Sequence, residues 1–296
     1  MRRREMNKKL IVICLALAVA AMSLPAQAQG SGYRDTVLND SPLSFWEFED
    51  AASNDGAVCA DTMGIEPGKY RNLGAPGSGI PDIALVPGLI GNAAEFNGTN
   101  VGSGNFVDVP DNRYWYYGGV NYRLESSKNV TLELWEKASN ITNYPRLMQH
   151  EGGGTQNYGL GATNDPNAQL MVMGCGTTWY TWPPGLFNGT WRYIVVTYAF
   201  NDPNTTKSWY LDGAFKGSST VAGSLTPPDE WSDLLLGAEG QQNYVYNGYK
   251  GALDEVAYYD YVLSQAQITA HYNAIPEPAT IALLGLGGLA LLRKRS

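Results

Sequence analysis

Short apolar segments, each closed off by glycine, proline, asparagine or aspartate, recur along most of this chain, and that punctuation excludes more folds than any other feature of it. Glycine and proline together account for 50 of the 296 residues. Between the breaks lie stretches such as residues 44–49 (SFWEFE), 105–109 (NFVDV), 130–137 (VTLELWEK), 169–174 (QLMVMG), 191–200 (WRYIVVTYAF), 207–213 (KSWYLDG), 233–237 (DLLLG) and 251–260 (GALDEVAYYD). They are short, rich in β-branched and aromatic residues, and several alternate apolar with polar positions, which is the pattern of strands rather than helices. Many short strands with no helices between them predict an all-β chain: a two-sheet antiparallel jelly-roll sandwich. One segment departs from the pattern. In residues 263–272 (LSQAQITAHY), Ser264 and Gln267 have capping-box spacing and Ile268 follows, which predicts a single short C-terminal helix. No linker composition, charge run or internal repeat divides residues 29–274, so one domain is expected there.

The two ends read differently from the middle. A basic start (MRRREMNKK) precedes an apolar stretch at residues 10–24, and Ala26-Gln27-Ala28 supplies small residues where a signal peptidase cuts. Residues 1–28 are therefore expected to be a secretory signal cleaved after Ala28. The alternative, a membrane anchor, is disfavoured because the apolar stretch is short for a ~20-residue span and ends at Pro25. At the other end, residues 279–292 form an apolar run that as a helix would reach only about 21 Å, against a hydrocarbon core of about 30 Å. Arg293, Lys294 and Arg295 can snorkel and set the C-terminal end on the cytoplasmic side, while Pro276 and Pro278 stop the helix from extending toward the domain. Pro276-Glu277-Pro278 is then held just outside the membrane, within reach of a membrane-embedded protease. A plain tail anchor is the competing reading; an amphipathic surface helix is not, since no polar face interrupts residues 281–292.

Charge and cysteine usage narrow the partners. Of 20 basic and 28 acidic side chains, the two terminal segments hold eight and two, leaving 12 and 26 and a net charge of −14 on the domain between them. Such a surface repels phosphate backbones and anionic lipid, so nucleic acid is not expected as a partner. Cys14 leaves with the signal, and Cys59 and Cys175 remain. Export permits a Cys59–Cys175 disulfide, which would stabilise by a few kcal/mol if the fold brings the two within reach. With no Cys-x-x-Cys and only His150 and His271, zinc or heme is not expected.

Aromatic clusters in Gly-, Pro- and Asn-rich surroundings are the candidate ligand residues: Tyr114, Trp115 and Tyr116; Trp179, Tyr180 and Trp182; Tyr244 and Tyr246. Flat aromatic faces suit the apolar faces of pyranose rings, although a sandwich also uses such residues to fill its core and cover its edges. Catalysis is weakly supported. Glu47 and Glu49 have strand-face spacing, whereas Glu133 and Glu136 point to opposite faces of a regular strand, and neither histidine accompanies a nucleophile motif.

Two resemblances follow from these residues. Pro276-Glu277-Pro278, a Leu/Gly-rich run and terminal Arg-Lys-Arg resemble the PEP-CTERM sorting signal of Gram-negative bacteria. That resemblance implies transient inner-membrane anchoring, recognition by an exosortase-type membrane protease, and delivery to the cell surface, outer envelope or extracellular matrix. The succession LSFWEFED, GNAAEFNG, NFVDVPDN, VTLELWEKA, GTWRYIVVTYAF, KSWYLDGAFKGS, LLLGAE and GALDEVAYYD resembles the LamG-like, concanavalin A-like sandwich over roughly residues 42–273. It implies binding of carbohydrate or another surface ligand, with a structural Ca²⁺ in many members. Acidic residues of the closing motif, Asp254 and Glu255, could ligate that ion with one from the opening segment, Asp50 or Asp61. The resulting expectation is an exported, non-enzymatic module that binds a polysaccharide. A structural or adhesive protein with a protein partner, and a cryptic glycan hydrolase or lyase, are the alternatives.

Overall fold

The structure, a computed structural model, describes residues 26–275 apart from 75–78, 99–101, 110–127, 139–140, 142–143, 153–154, 164–168, 177, 182–186, 226–232 and 242–243. Tyr114, Trp115, Tyr116, Trp182, Pro276-Glu277-Pro278, the apolar tail and the signal residues before Ala26 lie outside the described residues.

Two eight-stranded sheets form the body of the domain. The first runs in the order β14 (Ala214–Ala222), β13 (Asn204–Leu211), β12 (Arg192–Asn201), β7 (Val130–Lys137), β18 (Lys250–Tyr259), β5 (Asn92–Asn97) and β4 (Ala84–Pro87), with β1 (Ser44–Trp46) also paired to β18. The second runs β11 (Thr178–Thr181), β10 (Gln169–Met173), β9 (Thr155–Ala162), β8 (Arg146–Gly152), β15 (Leu234–Leu236), β6 (Gly104–Val109), β3 (Gly68–Leu73) and β2 (Val58–Cys59). A small hairpin, β16 (Glu239–Gln241) and β17 (Tyr244–Tyr246), stands apart. Neighbouring strands in both sheets are antiparallel, as expected of the sandwich.

Period-2 alternation explains how the sheets meet. Val130, Leu132 and Leu134 of β7, Ile194 and Val196 of β12, and Leu253 and Val256 of β18 point inward against Val107, Val109, Leu147, Leu160, Val172, Leu234 and Leu236 of the second sheet. Each such side chain contributes roughly 1.5–3 kcal/mol on burial. Trp46 is fully buried in the same core and its indole nitrogen donates to the Glu66 carbonyl (3.0 Å).

The opposite face of the first sheet is covered by two helices, α1 (Ala26–Asn39) and α2 (Gln265–Asn273), which explains why β7 is buried on both sides. Tyr33 and Val37 of α1 and Ile268 of α2 join Phe45, Trp135, Tyr193, Val195 and Tyr259 in a second apolar cluster. Helix α2 has the anticipated capping box, with Ser264 accepting from the Gln267 amide and the Gln267 side chain accepting from the Ser264 amide. Helix α1 was not anticipated. Its sequence, AQAQGSGYRDTVLN, carries two glycines, and among its described side chains the buried ones are an i, i+4 pair, too little periodicity to read. The expected cleavage point, Ala28, falls within its first turn.

Two other expectations need correcting. The strand at residues 44–49 stops at Trp46, because Phe48 adopts a positive φ of 59° and the chain turns away. Cys59 and Cys175 are free thiols. Cys59 lies on β2 at one edge of the second sheet and Cys175 follows β10 near the other, six inter-strand steps or about 29 Å along the sheet, far beyond disulfide reach.

Candidate functional site

Two features stand out on the helix-bearing side of the first sheet: an acidic notch in β18 and a groove beside it. The notch begins with a β-bulge. Register shifts between Asp254 and Ala257, so Leu253 and Val256 both face the core and the Asp254–Glu255 pair is displaced from it. Glu255 holds a positive φ of 51°, a strained conformation for a residue with a side chain. Upstream of the bulge β18 pairs with β5, and downstream with β1, so the loops that follow β1 and precede β5 both reach the gap.

Those loops bring more carboxylates. Glu49 accepts from the Asn92 amide (2.6 Å), and this closeness explains Gly91: at φ 53°, a Cβ there would lie 1.9 Å from the Glu49 Oε1. Asp254 accepts from the amides of Leu89 (2.7 Å) and Ile90 (3.2 Å) through Oδ2, while its Oδ1 is buried without a partner. Glu255 Oε2 is likewise buried and unpartnered. Glu47 pairs with Arg34 (2.9 Å). Among the described residues no lysine or arginine pairs with Glu49, Asp254 or Glu255. Burial pushes the Asp254 and Glu255 carboxyls well above the usual range; the Glu49 carboxylate adds to it for Asp254, and Asp254, Glu47 and Glu49 for Glu255.

Of the anticipated metal ligands, Asp254 and Glu255 belong to this notch, and Asp50 and Asp61 do not. Asp61 has both oxygens occupied by the amides of Phe45, Met63, Ile65 and Glu66 at 2.8–3.0 Å, organising its own loop. Asp50 accepts from the Ala60 amide and the Tyr70 hydroxyl. An all-oxygen donor set with two orphaned carboxylate oxygens has the chemistry of a hard-cation site, and Asp254 and Glu255, with Glu47 and Glu49 beside them, are the residues that would hold Ca²⁺. No three His, Cys, Asp or Glu groups among the described residues are preassembled in a metal-binding geometry, so an ion would have to draw these side chains together.

The groove, of about 650 Å³, opens at the end of β7. Its wall includes Glu95 and Asn97 from β5, Lys250 from β18, Lys137 from β7, and half-buried Trp191 just before β12. The Gly189 amide donates to the Ala138 carbonyl (2.8 Å), which fastens the turn before Trp191 to the end of β7. The Lys137 ammonium then lies 5.7 Å from the Trp191 ring centroid, a cation–π arrangement. Asn105 anchors the rim, accepting from the Asn97 amide (3.0 Å). An aromatic face with amide, carboxylate and ammonium groups around it can stack a sugar ring and hydrogen-bond its hydroxyls.

Sequence reasoning missed this groove. Trp191 was legible as the first residue of a strand, and nothing local says that residues 95, 137, 191 and 250 share one wall. Trp179 and Tyr180, by contrast, lie on β11, the edge strand opposite Met171 and Leu170 of β10, in the other sheet. Glu133 and Glu136 do not form a catalytic couple: Glu133 faces the helices and Glu136 faces the Tyr249 hydroxyl in the core (2.9 Å), as strand geometry predicts. His150 is fully buried and stacked on Tyr158.

Residues 102–269 match the family described as the concanavalin A-like lectin/glucanases superfamily, and residues 274–296 match the PEP-CTERM protein-sorting motif. A rat protein, Sushi, von Willebrand factor type A, EGF and pentraxin domain-containing protein 1, is 26% identical over 156 residues, which is 50% of this chain but only 4% of the rat protein. Three solved structures share the fold. Domain 4 of AbnA, a GH43 extracellular arabinanase from Geobacillus stearothermophilus in complex with arabinotriose, aligns over 78% of this chain and 98% of that domain (TM-score 0.54, 18% identity). Trypanosoma rangeli sialidase aligns over 79% of this chain and 32% of its own (TM-score 0.53, 16% identity). The binding domain of botulinum neurotoxin DC in complex with SialylT aligns over 81% of this chain and 53% of its own (TM-score 0.55, 12% identity). This chain therefore belongs to the concanavalin A-like lectin/glucanases superfamily and carries a PEP-CTERM sorting motif at its C-terminal end.

Proposed function

We propose that this protein is an exported surface module that binds a polysaccharide through the Trp191 groove, with Ca²⁺ held at the Asp254–Glu255 notch as a structural ion. Export through the signal at residues 1–28 and processing of Pro276-Glu277-Pro278 by an exosortase-type protease deliver it to the outer envelope, cell surface or surrounding matrix. The observation that carries the binding role is the groove itself, in which Trp191, Lys137, Glu95, Asn97 and Lys250 offer a stacking face ringed by polar groups. Support also comes from glycan ligands in the names of structures that share the fold, arabinotriose and 2,3-difluorosialic acid among them.

A protein partner is less well served. The exposed large apolar side chains among the described residues are Val58 and Phe215, on edge strands of different sheets, and Tyr144 before β8, and these three assemble no apolar patch for docking. The test is affinity electrophoresis of the exported chain through a panel of neutral and acidic polysaccharides. Retardation by at least one polymer is expected, and Trp191→Ala should weaken it about tenfold, a loss of about 1.4 kcal/mol. Retardation unchanged in Trp191→Ala removes the groove from the account. A chain that no polysaccharide retards overturns the reading, and release of shortened oligosaccharides would replace it with an enzymatic one.

A further inference from the structure

The buried polar cluster beneath the two helices supplies no residue to the groove or the notch, and it is unusually complete. Glu133, on the helix-facing side of β7, accepts from the Tyr33 hydroxyl of α1 (2.8 Å) and the Tyr259 hydroxyl of β18 (3.0 Å). His271 of α2, with no solvent exposure, places Nδ1 2.9 Å from Glu133 Oε2 and Nε2 3.0 Å from Asp40 Oδ2, just beyond the end of α1. A neutral imidazole has one donor and one acceptor nitrogen, and a carboxylate oxygen only accepts. Both contacts are hydrogen bonds only when His271 is the doubly protonated imidazolium. One proton therefore joins both helices to the sheet.

Among the neighbours that face this imidazole from every packed element, the two carboxylates reinforce that state. Glu133 comes from β7, Asp40 and Tyr33 from the α1 side, Tyr259 from β18 and Tyr193 from β12, where the Tyr193 ring lies within the same cluster; Tyr261 donates to the Asp40 carbonyl. Burial alone would push the His271 pKa down, but the Glu133 and Asp40 carboxylates outweigh it and the net shift is upward.

The position of the cluster gives it consequence. Helix α2 ends at Asn273, Ala274 caps it by donating to the Ala270 and His271 carbonyls, and Ile275 still packs against the helical cluster. The sorting tripeptide begins at the next residue, with no linker. The α1 side is engaged as well, since a Cβ at Gly32 would lie 3.7 Å from the Ala274 carbonyl oxygen.

We propose that the Asp40–His271–Glu133 clasp is a proton-operated latch on α2: closed, it holds the segment leading into Pro276-Glu277-Pro278 against the domain, and open, it lets α2 peel back so that a protease can seat the tripeptide. The proposal rests on the reading of the tail as a processed sorting signal. Opening releases one proton from His271 to solvent, past the quarter-exposed Asp40 side chain. Because the folded-state value is raised, the latch is fully formed below the unfolded histidine pKa of about 6.5 and is lost as pH rises through the folded one.

Hydrogen exchange of the full-length chain in detergent micelles, corrected for intrinsic rates, reads the latch directly. Between pH 5.5 and 9 the amides of α2 should lose protection at least tenfold while those of β7 and β12 hold. Asp40→Asn should move this opening to lower pH, and His271→Gln should leave α2 open at every pH. In an exosortase-bearing host, pulse–chase should show faster loss of the C-terminal tail in both variants than in the wild type. Exchange of α2 that ignores pH, or that merely follows global unfolding, overturns the latch; if His271→Gln does not fold, Asp40→Asn still decides, because an opening midpoint it fails to shift also overturns it. Equal tail processing in wild type and Asp40→Asn removes the role in processing, whereas a wild-type tail that is never shortened overturns the sorting reading itself.

Discussion

Two buried carboxylate sites lie on the same face of the same sheet, and they are built in opposite ways. At Glu133 the protein supplies everything the charge requires: two phenol donors and an imidazolium that is itself held by Asp40. At the β18 bulge the protein gathers Asp254 and Glu255 beside Glu47 and Glu49, yet leaves Asp254 Oδ1 and Glu255 Oε2 without a partner. The first site is self-sufficient and ties secondary structure together. The second is incomplete as it stands, because concentrating negative charge in a low-dielectric setting without a counter-charge is costly. The contrast is between a buried carboxylate whose counter-charge is encoded in the chain and a pair whose counter-charge is not.

That contrast can be broken experimentally, beginning with the largest effect. Glu133→Ala strands the His271 cation and two phenols in the interior and should cost about 3–5 kcal/mol, read as a lowered urea midpoint; a loss below about 1 kcal/mol would mean that the site is not the staple its geometry implies. Calcium should act only at the other site. A hundredfold excess over its dissociation constant should stabilise the wild type by about 2.7 kcal/mol, seen as a rise in melting temperature that chelation reverses. Asp254→Asn should be insensitive to the ion, and more stable than the wild type in its absence, because one buried carboxyl without a counter-charge is gone. A melting temperature indifferent to both calcium and chelator would remove the ion from the account.

The effect of pH is next in size. His271 has a raised folded-state pKa, so its contribution to stability is whole below about pH 6.5 and fades as pH climbs through the higher value, about 1.4 kcal/mol for each unit between the two. The buried carboxyl of Glu136, pushed up to about 8 chiefly by burial, acts in the same direction, since the folded state holds its proton between about pH 4.5 and 8 while the unfolded chain does not. Stability measured from pH 6 to 9 should therefore fall, and His271→Gln should flatten but not abolish the slope. The smallest effect is at the cap of the helix that carries the imidazole. Ser264→Ala removes one half of the capping box and should cost about 1 kcal/mol, detectable as faster exchange in the first turn of α2.

Much of the sandwich was readable residue by residue. Residues 130–137 form β7 without adjustment, and the strands expected at 105–109, 169–174, 191–200 and 251–260 agree within a residue at each end. What escaped included β2, β3 and β4 within residues 50–93, whose short, partly exposed runs show little alternation, and β8, β9 and β11 of the second sheet. The α1 helix escaped too, because its stability comes from the sheet beneath Tyr33 and Val37 rather than from its own composition. The site was less legible than the fold. Asp254 and Glu255 were recognisable within the closing motif, but their companions from the opening segment were not: Asp50 and Asp61 carry the same side chain as Asp254, and only the loop amides already bonded to Asp61 show that it is committed elsewhere.

The sequence by itself determined the class of fold, the position of the C-terminal cap and the sorting motif, because alternation, capping spacing and an apolar run between prolines and basic residues act over a few neighbouring positions. Tertiary structure alone decided which charges are answered. The bulge that sets Asp254 beside Glu255, the wall shared by Lys137, Trp191 and Lys250, and the histidine that meets Glu133 from 138 positions away all depend on strand register and helix docking. Such placements come from many weak contacts acting together across the sheets, and no local pattern in the chain records their sum.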